Sequence, residues 1–257
     1  GMTELILTSF VTNLVTNMSY MFNNCNKMTN LDISSFDTSR VTNMQSMFNS
    51  MTSIQSLDLS NFDVSNVENM KTMFNNCSSL TSLNLSSFVT TKVKDMSYMF
   101  YMCTKLPIID LSAFDMSSVE TMESMFELCI ANIDMSGKNT NKVKTVYKMF
   151  KSFGGTSINM SGCSLADSTN NQEFIYNALK LTDFVAPSNI KSSMDIRANN
   201  LTVDSLLSVI NALDLVETSQ ELEIGATNIG KLSDEQILKI VPKIIKKIHT
   251  DISYRKG

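Results

Sequence analysis

The sequence predicts an α/β solenoid, with a parallel sheet on one face and short helical segments on the other. Three observations predict it. A six-residue block recurs at a constant step, the apolar period changes within each unit, and a small polar residue stands at a fixed place between the two halves. A unit this short cannot bury its own apolar face, so neighbouring units must stack to form one continuous core.

The strand half comes first. Leu31-Asp32-Ile33-Ser34-Ser35-Phe36 recurs as Leu57 to Phe62, Leu83 to Phe88 and Ile109 to Phe114, and Leu5 to Phe10 is an earlier copy. The copies begin at residues 5, 31, 57, 83 and 109, a step of 26. Looser copies begin at Ile133 and Ile158. Each block alternates apolar and polar residues, the pattern of a short strand with one buried face.

The second half has another period. Val41, Met44, Met47, Phe48, Met51 and Ile54 fall at spacings of three and four, which predicts a helical segment. Asn13, Ser39, Ser65, Thr91, Ser117 and Asn141 each stand two residues before the Val that opens this half. All six are good N-caps, because their side-chain oxygens accept orphan N–H groups. Ser65 with Glu68, and Ser117 with Glu120, complete the spacing of a capping box.

The pattern of residues 57–77, Leu-Asp-Leu-Ser-x-Phe-Asp-x-Ser-x-Val-x-x-Met-x-x-Met-Phe-x-x-Cys, resembles the BspA-like leucine-rich repeats of bacterial surface proteins. The Met-Phe step recurs at Met21-Phe22, Met47-Phe48, Met73-Phe74, Met99-Phe100, Met125-Phe126 and Met149-Phe150, and the resemblance covers about residues 5–160. It implies a leucine-rich-repeat-type solenoid used for adhesion or recognition, on the cell surface or outside the cell, and it carries no catalytic residues. No secretory signal or wall anchor is evident, which leaves a cytoplasmic or virion-associated location open.

Residues 5–164 are thus expected to form regular strand–helix units. Residues 165–257 are expected to form larger coils that continue the stack and end in a helical cap. Helices are predicted over 169–181, 202–214 and 233–248, the last capped by Ser233 with Gln236 and kinked by Pro242. Met194-Asp195-Ile196 and Leu222-Glu223-Ile224 read as strands 28 residues apart. The tail is similar to segments that follow such repeats in bacterial and phage-borne proteins. The N-terminus shows no comparable cap, which points to truncation or to end-to-end self-association.

Composition narrows the chemistry. Charged residues make up 18% and the net charge is −4, which argues against a nucleic-acid partner. No apolar run is long enough to span a bilayer. The one histidine, His249, would have to serve any triad or zinc site alone, so the chain is read as non-catalytic, without cofactor or metal. Cys25, Cys77, Cys103 and Cys129 share a repeat position that also accepts Met51 and Phe153, so they are expected in the core as free thiols. Met96, Met99, Met102 and Cys103 resemble a soft-metal cluster, but two of the methionines belong to repeated apolar columns. Lys239, Lys243, Lys246 and Lys247 form a basic stripe that reads as a membrane contact or as a solvated helix face.

One outward column remains as a candidate site. Asp32, Asp58, Asn84, Asp110, Asp134 and Asn159 each sit between two apolar strand residues and point away from the core. Stacked carboxylates repel. Their recurrence reads either as a calcium or ligand surface or as a solvated polar face. The functional expectation is a recognition or adhesion module binding a protein or glycan on this face, with a structural component of a phage tail or similar assembly as the alternative.

Overall fold

The computed structural model describes residues 2–197, 200–213 and 222–240. It consists of small parallel sheets with few helices. Among the described residues there are nine short strands: β1 Glu4–Ile6, β2 Asn30–Asp32, β3 Ser56–Asp58, β4 Ser82–Asn84, β5 Ile133–Asp134, β6 Ser157–Asn159, β7 Asp183–Val185, β8 Met194–Asp195 and β9 Leu222–Glu223. Every strand pair is parallel and in repeat register. Leu5 faces Leu31, Leu57 faces Leu83, and Ile133 faces Ile158, which faces Phe184. The copy beginning at Ile109 forms no strand. Thr29 and Thr81 donate their N–H groups to Thr3 and Gln55 in the preceding coil at 2.7 and 2.8 Å. Pro107 occupies their place in its own coil and has no N–H, so the ladder loses its first bond there.

The predicted helical segments are not helices. Residues 41–54 form a chain of turns, and so does 169–181. Ser46 and Ser50 have φ of 56° and 59°, and Glu173 and Asn177 have φ of 53° and 60°. A left-handed residue at every fourth position ends any helical run. The N–H groups instead alternate in direction. Met44, Ser46, Phe48 and Ser50 donate to the next coil, to the carbonyls of Asn69, Lys71, Met73 and Asn75 at 2.8 to 3.0 Å. Met47 and Asn49 donate back three residues, to Met44 and Ser46, both at 3.2 Å. This turn chain places an apolar residue inward at the same spacings as a helix, which is why the pattern predicted one.

The predicted caps change role accordingly. Ser39, Ser65, Ser117 and Asn141 are not N-caps. Their N–H groups donate to Asp37, Asp63, Asp115 and Asn139 at 2.8 to 3.1 Å. Glu68 and Glu120 close no capping box and pair instead with Lys94 and Lys144, both at 2.7 Å. A row of parallel bridges runs unbroken through Asn17, Asn43, Asn69, Asp95, Thr121, Thr145 and Asn170. It joins seven coils on the turn side, where the strand ladders on the other side are interrupted.

Apolar columns fill the space between. Phe22, Phe48, Phe74, Phe100, Phe126 and Phe150 stack ring on ring with centroid spacings of 5.8, 5.7, 5.6, 5.7 and 5.4 Å. The expected core positions of Cys77, Cys103 and Cys129 are observed. All three are buried free thiols, donating to the carbonyls of Phe48, Phe74 and Phe100. Cys25 is half-buried. Met96, Met99 and Cys103 are fully buried among apolar neighbours.

Stacking continues past residue 164, since β7 pairs with β6. Helix α1 (Val203–Ala212) then covers the open edge of β7. Ser205 and Ser208 on this helix accept the N–H groups of Phe184 and Ala186 at 2.8 and 2.9 Å. The strands read 28 residues apart are β8 and β9, with Met194 facing Leu222. Two shorter helices follow, α2 (Ala226–Ile229) and α3 (Asp234–Ile240). The capping box of α3 forms as expected. Ser233 N–H donates to Gln236 Oε1 at 2.8 Å, and Gln236 N–H to Ser233 Oγ at 3.2 Å. The kink predicted at Pro242, and Lys243, Lys246, Lys247 and His249, lie outside the described residues, and Lys239 falls within α3. Among the described residues no helix is long and apolar enough to cross a membrane.

Candidate functional site

The six candidate residues form one outward column. Asp58, Asn84, Asp110 and Asp134 are exposed, and Asp32 and Asn159 are half-buried. Strand pairing sets Asp58 beside Asn84 and Asp134 beside Asn159. Adjacent members are therefore separated by about one strand spacing, roughly 4.8 Å.

Each member does the same local work. Its Oδ1 accepts the N–H of the residue two places on: Ser34, Ser60, Ser86, Ser112, Ser136 and Ser161, at 2.9 to 3.1 Å. This is an Asx turn, in which a side chain completes a corner that the backbone alone would leave open. It explains why Asn84 and Asn159 serve as well as aspartate, since the acceptor is what the corner requires. The same device makes a second corner in most units, at Asp37, Asp63, Asp115 and Asn139. It makes a third at Asn17, Asn43, Asn69, Asp95 and Asn170.

The corners also set the charge. The hydroxyl and then the N–H of Ser34 hold Asp32 below the ordinary carboxylate range. The N–H and then the hydroxyl of Ser60, Ser112 and Ser136 do the same for Asp58, Asp110 and Asp134. The column is therefore anionic at neutral pH while remaining on the surface. A depressed folded-state pKa contributes stability above the unfolded value, about 3.9, and that contribution is lost as pH falls through the folded value.

Corner and charge can be separated. Asp58→Ala and Asp110→Ala remove the acceptor, and each is expected to lower the thermal midpoint by about 2–4 °C, the shift of one lost side-chain bond in a chain of this length. Asp58→Asn and Asp110→Asn keep the acceptor and are expected to leave the midpoint within about 1 °C. Scanning fluorimetry at pH 7 checks both. Equal loss in the Ala and Asn variants would show that charge, not the corner, is what stability uses.

Other groups fall on other faces. Glu68, Lys94, Glu120 and Lys144 share one exposed column with alternating sign, paired two by two. Such pairs add little stability but neutralise that surface. A cleft of about 400 Å3 is lined by Ser168, Asn171, Gln172 and Lys191 among others. On the turn side, Tyr98 and Tyr101 have ring centroids 5.8 Å apart, and Tyr147 and Tyr176 lie on later coils. The sequence reading missed this group. Its signal is present at the repeat step, where the column Asn23, Asn49, Asn75 changes to Tyr101, Glu127, Lys151 and Tyr176. Among the described residues no group of three or more His, Cys, Asp or Glu is placed to hold a metal ion.

No curated protein matches the chain. The family described as "Mycoplasma protein of unknown function, DUF285" matches it over residues 2–107 and again over 79–186. The two stretches together take in the repeated coils from β1 through β7, and on that coverage the chain belongs to the DUF285 family.

Proposed function

We propose that this chain is a non-catalytic recognition or adhesion module, a leucine-rich-repeat-type solenoid of BspA-like character that binds a protein or glycan on its strand face. The observation that carries the reading is the outward column Asp32, Asp58, Asn84, Asp110, Asp134 and Asn159, four of whose members are exposed. It offers acceptor oxygens at a repeated spacing on a backbone fixed by stacked coils. A rigid row of this kind binds an extended partner without ordering cost on its own side. An extracellular or cell-surface location suits such a module.

The Asn variants give a clean test, because they remove charge and leave the corners intact. Purified chain is assayed by biolayer interferometry against a panel of extracellular proteins and immobilised oligosaccharides. The doubly substituted Asp58→Asn, Asp110→Asn chain is expected to lose at least about tenfold in affinity for whatever the unaltered chain captures. Unchanged affinity would remove the column from the binding surface.

A further inference from the structure

We infer that the cleft at the end of the turn side is a second binding site, for a free α-amino acid, with Asn171 in its wall and Lys191 and Asp167 on its lining. It shares no residue with the aspartate column and does not depend on it.

Two core columns change class at this place. One runs through Val15, Val41, Val67, Val93, Val119 and Val143 and arrives at Ser168. The other runs through Met18, Met44, Met70, Met96, Met122 and Val146 and arrives at Asn171. The backbone is kept: Ser168 N–H donates to the Leu165 carbonyl at 3.0 Å, as Val143 N–H does to that of Thr140 at 3.1 Å. Burial is kept too, with Ser168 3% exposed and Asn171 0%. Only the polarity is new. Ser168 Oγ donates to Asn171 Oδ1 at 2.6 Å. Asn171 Nδ2 has no hydrogen-bond partner among the described residues. Valine and methionine fill both positions in the earlier coils without leaving an orphan donor, so packing gives no reason for the polar pair.

The cleft opens because the stacking changes here. Bridges on the turn side join coil to coil as far as Asn170, whereas Ile190 in the next stretch pairs with Leu213. The chain then enters β8 at Met194 without another turn chain. A space of about 400 Å3 is left, lined by Asp167, Ser168, Thr169, Asn171, Gln172 and Lys191 among others. Ser192 ties one side to coil seven, its Oγ donating to the Ser168 carbonyl at 3.2 Å. Small-molecule sites commonly have volumes of roughly 300–1,000 Å3.

The choice of ligand follows from the groups left uncommitted. The wall offers an amide donor, which requires an acceptor. The lining also carries one charge of each sign, Lys191 and Asp167. Both are exposed, and neither belongs to an ion pair among the described residues. A carboxylate alone suits Asn171 and Lys191 but is repelled by Asp167. An amine alone suits Asp167 and leaves Asn171 without an acceptor. An α-amino acid carries both groups on one carbon. Its carboxylate accepts from Asn171 Nδ2 and faces Lys191, and its ammonium faces Asp167. The hydroxyl and amide groups of Thr169 and Gln172 favour a short polar side chain.

The full chain is titrated calorimetrically with glycine, serine, asparagine and glutamine. N-acetylserine, which lacks the ammonium, and serine amide, which lacks the carboxylate, are the controls. The expected result is saturable binding of at least one amino acid and at least about tenfold weaker binding of both controls. Ser168→Val with Asn171→Met restores the two apolar columns. That chain is expected to keep or raise its thermal midpoint, because both partners of a buried bond leave together, and to lose binding at least about tenfold. Lys191→Gln and Asp167→Asn alter only exposed side chains and are each expected to weaken binding about tenfold. The Asp58→Asn, Asp110→Asn chain is expected to bind unchanged, which separates this site from the strand face. No saturable binding of any of these amino acids up to roughly 10 mM would overturn the proposal. So would N-acetylserine or serine amide binding as tightly as the amino acid, or unchanged binding in the Lys191→Gln and Asp167→Asn chains.

Discussion

Phe100→Ala is expected to destabilise the chain by about 3–5 kcal/mol, the range for truncating a fully buried aromatic side chain. Phe100 is wholly buried, with its ring 5.6 Å from Phe74 and 5.7 Å from Phe126. Its neighbours in the column are held by backbone bonds to adjacent coils and cannot collapse into the gap. Phe100 N–H donates to the Met125 carbonyl at 3.0 Å, and Phe74 N–H to the Met99 carbonyl at 2.9 Å. The cavity therefore remains, and the dispersion contacts on both ring faces are lost together. Because coils touch mainly their neighbours, the weakness falls at one interface in the stack. Urea denaturation is expected to show the coils before and after this point separating into two transitions. Phe100→Leu, which keeps most of the volume, is expected to retain a single transition with a smaller loss. A loss below about 1 kcal/mol for the Ala variant would mean that the phenylalanine column is not a continuous core.

Much of the fold was legible because stacking translates sequence period into spatial register. A step of 26 between Leu5, Leu31, Leu57 and Leu83 gives the strand pairing residue for residue. The thiols of Cys77, Cys103 and Cys129 were placed in the core by the Met and Phe that replace them in the column. The helical reading failed at a specific point of physics. Spacings of three and four between apolar residues describe any chain that turns inward about every fourth residue. Only backbone dihedrals distinguish a helix from the turn chain found here. Asn24, Ser50 and Asn76 were a visible clue, since small polar residues accept left-handed φ more readily than most. Met102 and Leu128 at the equivalent places concealed it.

The candidate site was half legible. Alternation placed Asp58, Asp110 and Asp134 outward, and all three are exposed, while Asp32 is half-buried. It could not reveal that each carboxylate accepts an N–H two residues on, because the serine that follows reads equally as solvated surface. The tyrosine group was missed for a different reason. Tyr101 and Tyr176 are separated in their column by Glu127 and Lys151, so a search for one letter repeated at a fixed step passes over them. They meet only when the 26-residue column is followed through its change of chemistry.

Met102 gives the second large effect. Its φ is 58°, and its N–H donates to the Glu127 carbonyl at 3.0 Å. Proline fixes φ near −65° and has no N–H. Met102→Pro therefore removes the cross-coil bond and forces the backbone out of its corner, with an expected cost of at least about 3 kcal/mol. A helix would suffer similarly from proline, so this variant measures importance rather than conformation. Glycine and alanine at the same position measure conformation. Both remove nearly the whole side chain, and they differ in the backbone each prefers. In a helix alanine is more stable than glycine by about 1 kcal/mol. At a left-handed corner the order reverses, because alanine has a Cβ that crowds the following carbonyl and glycine has none. The most direct test of the stacked turn chain is thus the difference in unfolding free energy between Met102→Gly and Met102→Ala, measured by urea denaturation. The glycine variant is expected to be the more stable by about 1 kcal/mol. An alanine variant more stable than glycine by that amount would contradict the turn chain and restore a helix to this face.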